Sequence, residues 1–267
     1  MNDDLRRRWD AFAEDFEKHF ERATLQVGRT LVAHGRLDSA RQVLELGGGA
    51  GGLSLELLPR LHRDARLTCT DFSPEMVRRA RQRLPEQVRV LEADAQALPF
   101  EEASFDRVFA NMNLMIVPDT DAALSETARV LQPGGIYLFS VWGEPERSHQ
   151  MRVLPELMEQ MGLEMPTPPR SNFHLSDAAA LRARLKAAGF DRVLTGNQVI
   201  SLGLLSGQEY AAMMLENHPS VRQLVAELPP DTAESLRRAL VQRVEQLMDA
   251  GSLVGLDCLF GVARRAS

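Results

Sequence analysis

The sequence predicts an α/β protein built on a largely parallel sheet with helices on both faces. Three observations predict it. From residue 41 onward, short apolar runs of strand length alternate with helical patterns, the signature of strand–helix–strand units. Val43-Leu44-Glu45-Leu46 runs into Gly47-Gly48-Gly49-Ala50-Gly51-Gly52 and then a helical stretch, Leu53 to Leu61. That order of strand, glycine-rich turn and helix N-terminus is how open α/β sheets hold nucleotide-like ligands. After the next strand, Ser73-Pro74-Glu75 combines an N-cap, a proline at the first helical position and a first-turn acid.

The elements follow in order. Leu5, Trp9, Phe12, Ala13, Phe16 and Phe20 make one aromatic-rich helical face over Leu5 to Phe20, and a second helix is expected from Thr24 to His34, stopping at Gly35. Arg41 to Leu46 is the first strand. Arg66 to Thr70 is the second, ending at Asp71, and Val88 to Leu91 the third, ending near Asp94. Phe105 to Ala110 is the fourth; Asp121 to Leu131 is helical and stops at Gln132-Pro133-Gly134-Gly135, before the fifth strand, Ile136 to Trp142. Ser148 to Arg170 is Met- and Pro-rich, with one helix and then a loop. Ser176 to Ala188 is a helix that Gly189 ends, and Arg192 to Leu202 is the sixth strand. Ser206-Gly207-Gln208-Glu209 is a capping box and Asp231-Thr232-Ala233-Glu234 resembles one, opening helices over Gln208 to Leu228 and Thr232 to Ala250. Leu253 to Ala263 closes the chain as a last strand, whose direction spacing leaves open.

These elements suggest a helical lid over residues 1–36, a core of residues 37–204 and 251–267, and a helical cap inserted at 205–250. At 267 residues the chain is long enough for one large domain with such a cap. A hydrophobic fraction of 44% and a charged fraction of 25% are ordinary for a globular protein, and a net charge of -6 disfavours nucleic acid as a partner. The basic runs Arg6-Arg7-Arg8 and Arg78, Arg79, Arg81, Arg83 read as solvated helix faces. Cys69 and Cys258 sit in apolar strands and read as reduced core residues, and no Cys/His cluster suggests a metal. The charged N-terminus and the absence of a long apolar run predict no signal peptide, no membrane span and a cytoplasmic location. Oligomeric state is not readable.

Ligands in such a sheet bind at the carboxyl ends of the strands, so strand-end residues matter most. Glu45 stands two positions before the first glycine, where dinucleotide-binding strands keep small or apolar residues. Asp71 ends the second strand about 20 residues past the loop, where a carboxylate can grip a ribose diol. Asp94, with Ala95, is placed to accept from an exocyclic amine, and Asn111 follows the fourth strand. Gly47, Gly49 and Gly52 also satisfy the weaker dinucleotide pattern.

Taken together, these residues resemble the class I S-adenosylmethionine-dependent methyltransferases, most closely the ubiquinone/menaquinone-pathway and malonyl-carrier-protein O-methyltransferase group. The resemblance rests on Val43 to Gly51, Thr70 to Met76, Glu92-Ala93-Asp94-Ala95, Leu98-Pro99-Phe100, Ser104 to Val108 and Arg129 to Gly135, and fades after residue 142. It implies a Rossmann-like seven-stranded sheet of order 3-2-1-4-5-7-6 with the seventh strand antiparallel. It also implies that Glu45 and the backbone of Gly47, Gly48, Gly49 and Gly51 hold the methionyl end of S-adenosylmethionine. Asp71 would bind the ribose, Phe72 and Met76 would pack near adenine, Asp94 and Ala95 would read it, and Asn111 would lie beside the methionyl group. S-adenosylhomocysteine would be the product, and no metal is implied.

The mechanism implied is attack on a sulfonium methyl, helped mainly by positioning and desolvation. The histidine common in relatives after the fourth strand is absent, because this chain reads Asn111-Met112-Asn113-Leu114-Met115. His149 is the nearest candidate base. Trp9, Phe16, Asn113, Met115, Met213 and Met214 are candidates to line a small, partly apolar acceptor, with O-, N- or C-methylation undetermined. A NAD(P)-dependent oxidoreductase and an inactive cofactor-binding module are the alternatives, separable by calorimetry with NADH and by release of S-adenosylhomocysteine.

Overall fold

The computed structural model of the chain describes residues 3–165, 170–217 and 219–267. Its strands are β1 (Gln42–Leu46), β2 (Arg66–Asp71), β3 (Arg89–Glu92), β4 (Phe105–Asn111), β5 (Leu131–Trp142), β6 (Phe190–Ile200) and β7 (Leu256–Arg265). They form one sheet of order β3-β2-β1-β4-β5-β7-β6. The first five are parallel, and β7 runs antiparallel to both β5 and β6. The direction that spacing left open is therefore resolved, and the order is the expected one.

Side chains alternate across each strand, so the sheet buries two cores. Val43, Cys69, Phe109 and Leu138 pack under α2 (Glu21–His34), α3 (Gly52–Leu57) and α4 (Pro74–Arg83) through Leu31, Leu53, Leu57 and Ala80. Leu44, Val108, Tyr137 and Phe139 face the other way, toward α5 (Thr120–Val130) and α7 (Ala178–Ala187), whose Leu124, Leu181 and Leu185 meet them. Both cysteines are buried and free, Cys69 in β2 and Cys258 in β7.

Two motifs that resemble the family's prove to be struts. Asp106 accepts the backbone N–H groups of Arg41 and Gln42 at 2.8 and 2.9 Å, tying β4 to the start of β1. Arg129 donates to the carbonyls of Phe100 and Leu98 at 2.7 and 3.0 Å, while Glu126 accepts from Leu98 N–H at 2.8 Å. The Leu98-Pro99-Phe100 turn is thereby clamped to α5.

Four expectations are corrected. The N-terminal segment has no break: α1 (Asp3–Asp15) passes through a π-helical turn at Phe16–Phe20 into α2, because Glu21 keeps helical dihedrals of −55° and −44° and no glycine or proline intervenes. Gln132-Pro133-Gly134-Gly135 lies within β5, where the register with β4 shifts between Phe105 and Arg107, so it is a bulge rather than a full stop. The helix expected over Gln208 to Leu228 divides into α8 (Gly207–Glu216) and α9 (Pro219–Glu227), because proline lacks the N–H that a helix continuing through it would need. Similarly α10 (Pro230–Asp249) starts at a proline, and Asp231 sits in its first turn without capping it. Residues 166–169 of the Pro-rich loop and residue 218 lie outside the described residues.

The 205–250 segment builds a third core of its own. Tyr210 and Met214 of α8 and Leu236, Leu240 and Val244 of α10 pack on Val153, Leu154 and Met158 of α6 (His149–Gln160). Tyr210 Oη donates to the Gln150 carbonyl within that contact.

Close approach of β7 to β5 rests on one glycine. A Cβ at Gly261 would lie 2.3 Å from Cζ of the fully buried Phe139 ring. Gly261→Ala is expected to destabilise the protein by about 1–3 kcal/mol, the usual cost of overpacking a tight core, read as a lower urea midpoint at unchanged slope.

Candidate functional site

The glycine-rich turn leaves the carboxyl end of β1 and is stitched to the end of β2. Gly48 N–H donates to the Thr70 carbonyl at 2.9 Å. Gly49 N–H donates to Asp71 Oδ2 at 2.9 Å, and Ser73 N–H donates to Asp71 Oδ1, also at 2.9 Å. Gly47 and Gly49 hold φ of +61° and +55°, the left-handed region that suits glycine. Gly47 has a second reason: a Cβ there would come within 2.0 Å of the Asn113 side-chain nitrogen. Ser73 then caps α4, its hydroxyl accepting from Met76 N–H at 3.2 Å and donating to Asp10 on α1.

Two acids lie under this turn. Glu45 is 2% exposed, and the Ser54 hydroxyl donates to its carboxylate from the first turn of α3. Burial pushes the Glu45 carboxyl up to about 8, against the opposing effect of Ser54. Asp71 is 8% exposed, and burial raises it to about 6 although the Ser73 and Gly49 amides favour its charged form. Burial also drives the Cys69 thiol far above its ordinary range, so it is no nucleophile.

Beside the turn lies an open cleft. Of the residues singled out in the sequence, Gly47, Phe72, Asp94, Ala95 and Asn113 line it. Gly49 and Met76 are not among the lining residues; 3.8 Å separates the Met76 sulfur from the position of a Gly49 Cβ, and Phe16 of the π-helical turn is equally close to that position. Gly51, with φ +87°, caps the start of α3 instead. Asn111 bonds on both sides, donating to the Thr24 carbonyl at 3.1 Å and accepting from the Ser140 hydroxyl at 2.8 Å.

The remaining candidates are not gathered here. Met115 is 3% exposed in the sheet core, and Met214 is 6% exposed in the α6–α8–α10 core. Met213 accepts a weak bond from Asn217 at 3.8 Å on α8. His149 is the first residue of α6, beyond β5, and is not among the cleft-lining residues. Trp9 belongs to the N-terminal aromatic cluster, its ring centroid 5.7 Å from Phe12 and 5.9 Å from Phe16.

The cleft also uses residues that strand-end reasoning passed over. Thr70, Ala93 and Gln96 adjoin residues already marked, so position alone could have found them. Ile116, Val117 and Pro118 also line the cleft, as does Leu5 of α1. Nothing local marks Leu5; its place follows from how α1 docks.

That docking corrects the reading of the basic runs as solvated faces for Arg6, Arg79 and Arg83, while Arg7, Arg8, Arg78 and Arg81 are exposed as expected. Arg79 pairs with Glu17 at 2.8 Å and with Glu75 at 2.8 Å, and Arg83 pairs with Glu21 at 2.8 Å. Arg6 donates to the Phe72 carbonyl at 3.2 Å and pairs with Glu92. Arg79 and Arg83 of α4 thus meet acids of the N-terminal helix, whereas Arg78 pairs with Glu75 of its own helix.

The two buried acids give a signed pH dependence. Their folded values lie above the unfolded ones, so the stability they contribute is full below about pH 4. It is lost as pH rises through about 6 for Asp71 and about 8 for Glu45. Glu45→Gln, which keeps a neutral polar group beside Ser54, should flatten the part of that decline between about pH 4.5 and 8 in thermal melts. A variant curve parallel to the native one would contradict it.

Comparison with known proteins follows the geometry. A methyltransferase-domain family model matches residues 43–135, from β1 into β5. A malonyl-[acyl-carrier protein] O-methyltransferase of Halorhodospira halophila is 38% identical over 156 residues, covering 55% of this chain and 50% of that protein. The chain therefore spans about half the length of that relative. A ubiquinone/menaquinone biosynthesis C-methyltransferase of Xylella fastidiosa is 31% identical over 206 residues, covering 68% of this chain and 79% of that one. Among solved structures, a chain of the complex between the Haloferax volcanii Trm112 methyltransferase activator and a methyltransferase superposes with a TM-score of 0.59. It is 22% identical and covers 98% of each chain, which speaks for the fold alone. Fold, glycine-turn geometry and sequence agreement converge, and the chain belongs to the class I S-adenosylmethionine-dependent methyltransferases.

Proposed function

We propose that this protein transfers a methyl group from S-adenosylmethionine to a small, partly apolar acceptor. The observation that carries the cofactor side is the cleft at the carboxyl ends of β1 to β4. It combines a close backbone approach at Gly47, an apolar wall of Phe72, Ile116 and Val117, and the Asp94 carboxylate. Those features fit a nucleoside joined to an amino acid and offer no phosphate cradle. When bound, S-adenosylmethionine supplies an electrophilic methyl on a neutral leaving thioether.

The residues then divide the work. Asp94 accepts from the adenine amine and the Ala95 amide meets the ring, with Phe72 against its face. Asp71 receives the ribose hydroxyls through the second lone pair of each oxygen, the first being given to Gly49 and Ser73. The Gly47–Gly49 backbone approaches the methionyl end. Glu45 balances positive charge from below the turn, because a nearby cation lowers the raised value that burial gives it. Asn111 keeps the end of β4 in place between Thr24 and Ser140.

The segment 1–36 serves as a lid on residues 37–204 and 251–267, and 205–250 as a cap beyond it. Leu5 in the cleft lining and Phe16 beside Gly49 support the lid. Exclusion of water and alignment supply most of the rate. A net charge of -6 supports an acceptor that is not a nucleic acid. Among the described residues no helix is long and apolar enough to cross a membrane, and no group of three or more His, Cys, Asp or Glu could hold a metal.

Incubation with S-adenosylmethionine and a library of small carboxylate, phenol, quinol and amine acceptors should release S-adenosylhomocysteine with some members. Tight NADH binding without S-adenosylmethionine binding would overturn the proposal. His149→Ala should retain kcat within about tenfold, since a working general base contributes 10²–10⁴-fold. In a Trp142→Phe background Trp9 is the only tryptophan left of the two, and its emission should shift on titration with S-adenosylhomocysteine if the lid closes on the ligand.

A further inference from the structure

We infer that Gln96 is a positioning residue for purine recognition, a strut that locks the Asp94 carboxylate so that the site selects a 6-amino purine over a 6-oxo purine. The inference rests on the reading that Asp94 meets adenine and goes one step beyond it. Gln96 Nε2 donates to Asp94 Oδ1 at 2.8 Å, and Gln96 backbone N–H donates to the same oxygen at 2.9 Å. At the other end, Gln96 Oε1 accepts from Asp119 N–H at 2.9 Å. Asp119 is the N-cap of α5, its side chain accepting from Ala122 N–H at 3.0 Å. The orientation of the amide is forced from both ends, because a carboxylate can only accept and a backbone N–H can only donate.

This arrangement joins two segments that line the cleft. One is the end of β3, with Ala93 and Asp94; the other is the segment from Asn113 to Pro118 that leads into Asp119. Two donors on Oδ1 fix the rotation of the carboxylate. Oδ2 receives no hydrogen bond from the described residues, and both Asp94 and Gln96 line the cleft. A carboxylate held that way presents a pure acceptor in one direction. It favours an exocyclic amine and opposes a carbonyl at the same ring position, and leaving such a group unmatched is what gives polar sites their discrimination. A carboxylate free to rotate would turn to solvent and discriminate less.

Calorimetric titration of the full chain with S-adenosylhomocysteine and with S-inosylhomocysteine tests this, using Q96E, Q96M and D94A. The native protein should prefer the adenosyl ligand by at least about tenfold. Q96E is isosteric and keeps an oxygen for Asp119 N–H, but sets an acceptor against Asp94. It should bind S-adenosylhomocysteine about tenfold more weakly and bring the preference close to unity. Q96M should do the same through loss of both bonds. Native affinity and preference in Q96E, with preference lost in D94A, would overturn the role of Gln96. Equal weakening of both ligands in Q96E and Q96M, with the preference intact, would reduce Gln96 to packing and overturn it too. If D94A keeps the preference, the adenine assignment itself is wrong and the inference falls with it.

Discussion

The buried carboxylate of Asp71 is the interaction on which the functional edge of the sheet depends. It takes the Gly49 amide on one oxygen and the Ser73 amide on the other, so a single side chain at the end of β2 holds both the glycine turn and the start of α4. Ser73 passes the constraint outward, capping α4 and bonding Asp10 of α1. Turn, α4 and α1 are therefore linked in series. The amide bonds partly offset the desolvation that raises the acid, and that balance keeps an ionisable group workable at such a depth.

Below the turn, Glu45 sets the electrostatic character of the same region. An acid this deeply buried, held by Ser54 and close to the Asp71 charge, is largely protonated near neutrality. A neutral acid poised to ionise suits a cleft proposed to take a cationic sulfonium, because the ligand's charge stabilises the carboxylate that water cannot reach. The N-terminal helix adds a second set of charges. Its acids meet Arg79 and Arg83 of α4 across a partly exposed interface, where ion pairs direct the docking angle more than they add stability.

Several sequence motifs carry architecture as much as chemistry. Asp106 closes the start of β1 onto β4, and Arg129 with Glu126 clamps the Leu98–Phe100 turn. Gln96 shows the two functions meeting in one residue, since its amide joins two segments that line the cleft. The matched family region ends at residue 135; beyond it β6, β7 and α7 complete the sheet and its core, while α6 and the α8–α10 insertion pack around a separate core.

What could be read from the sequence alone was whatever local chemistry decides. Strand and helix order, the N-cap at Ser73, the glycine turn and the strand-end acids follow from periodicity, capping and φ requirements, which need only neighbouring residues. Strand order and the antiparallel β7 came from family resemblance, and the sheet agrees. Tertiary structure alone decided the rest. Leu5 reaches the cleft because Arg6, Glu17 and Glu21 find partners 62 or more positions away. Asn113 faces the cleft while Asn111 is tied between Thr24 and Ser140, a difference of two residues that no local pattern distinguishes. Met115 and Met214 went to packing because burial depends on what the folded chain places opposite a side chain. Local preference chooses the elements, and long-range packing chooses which of their residues meet the ligand.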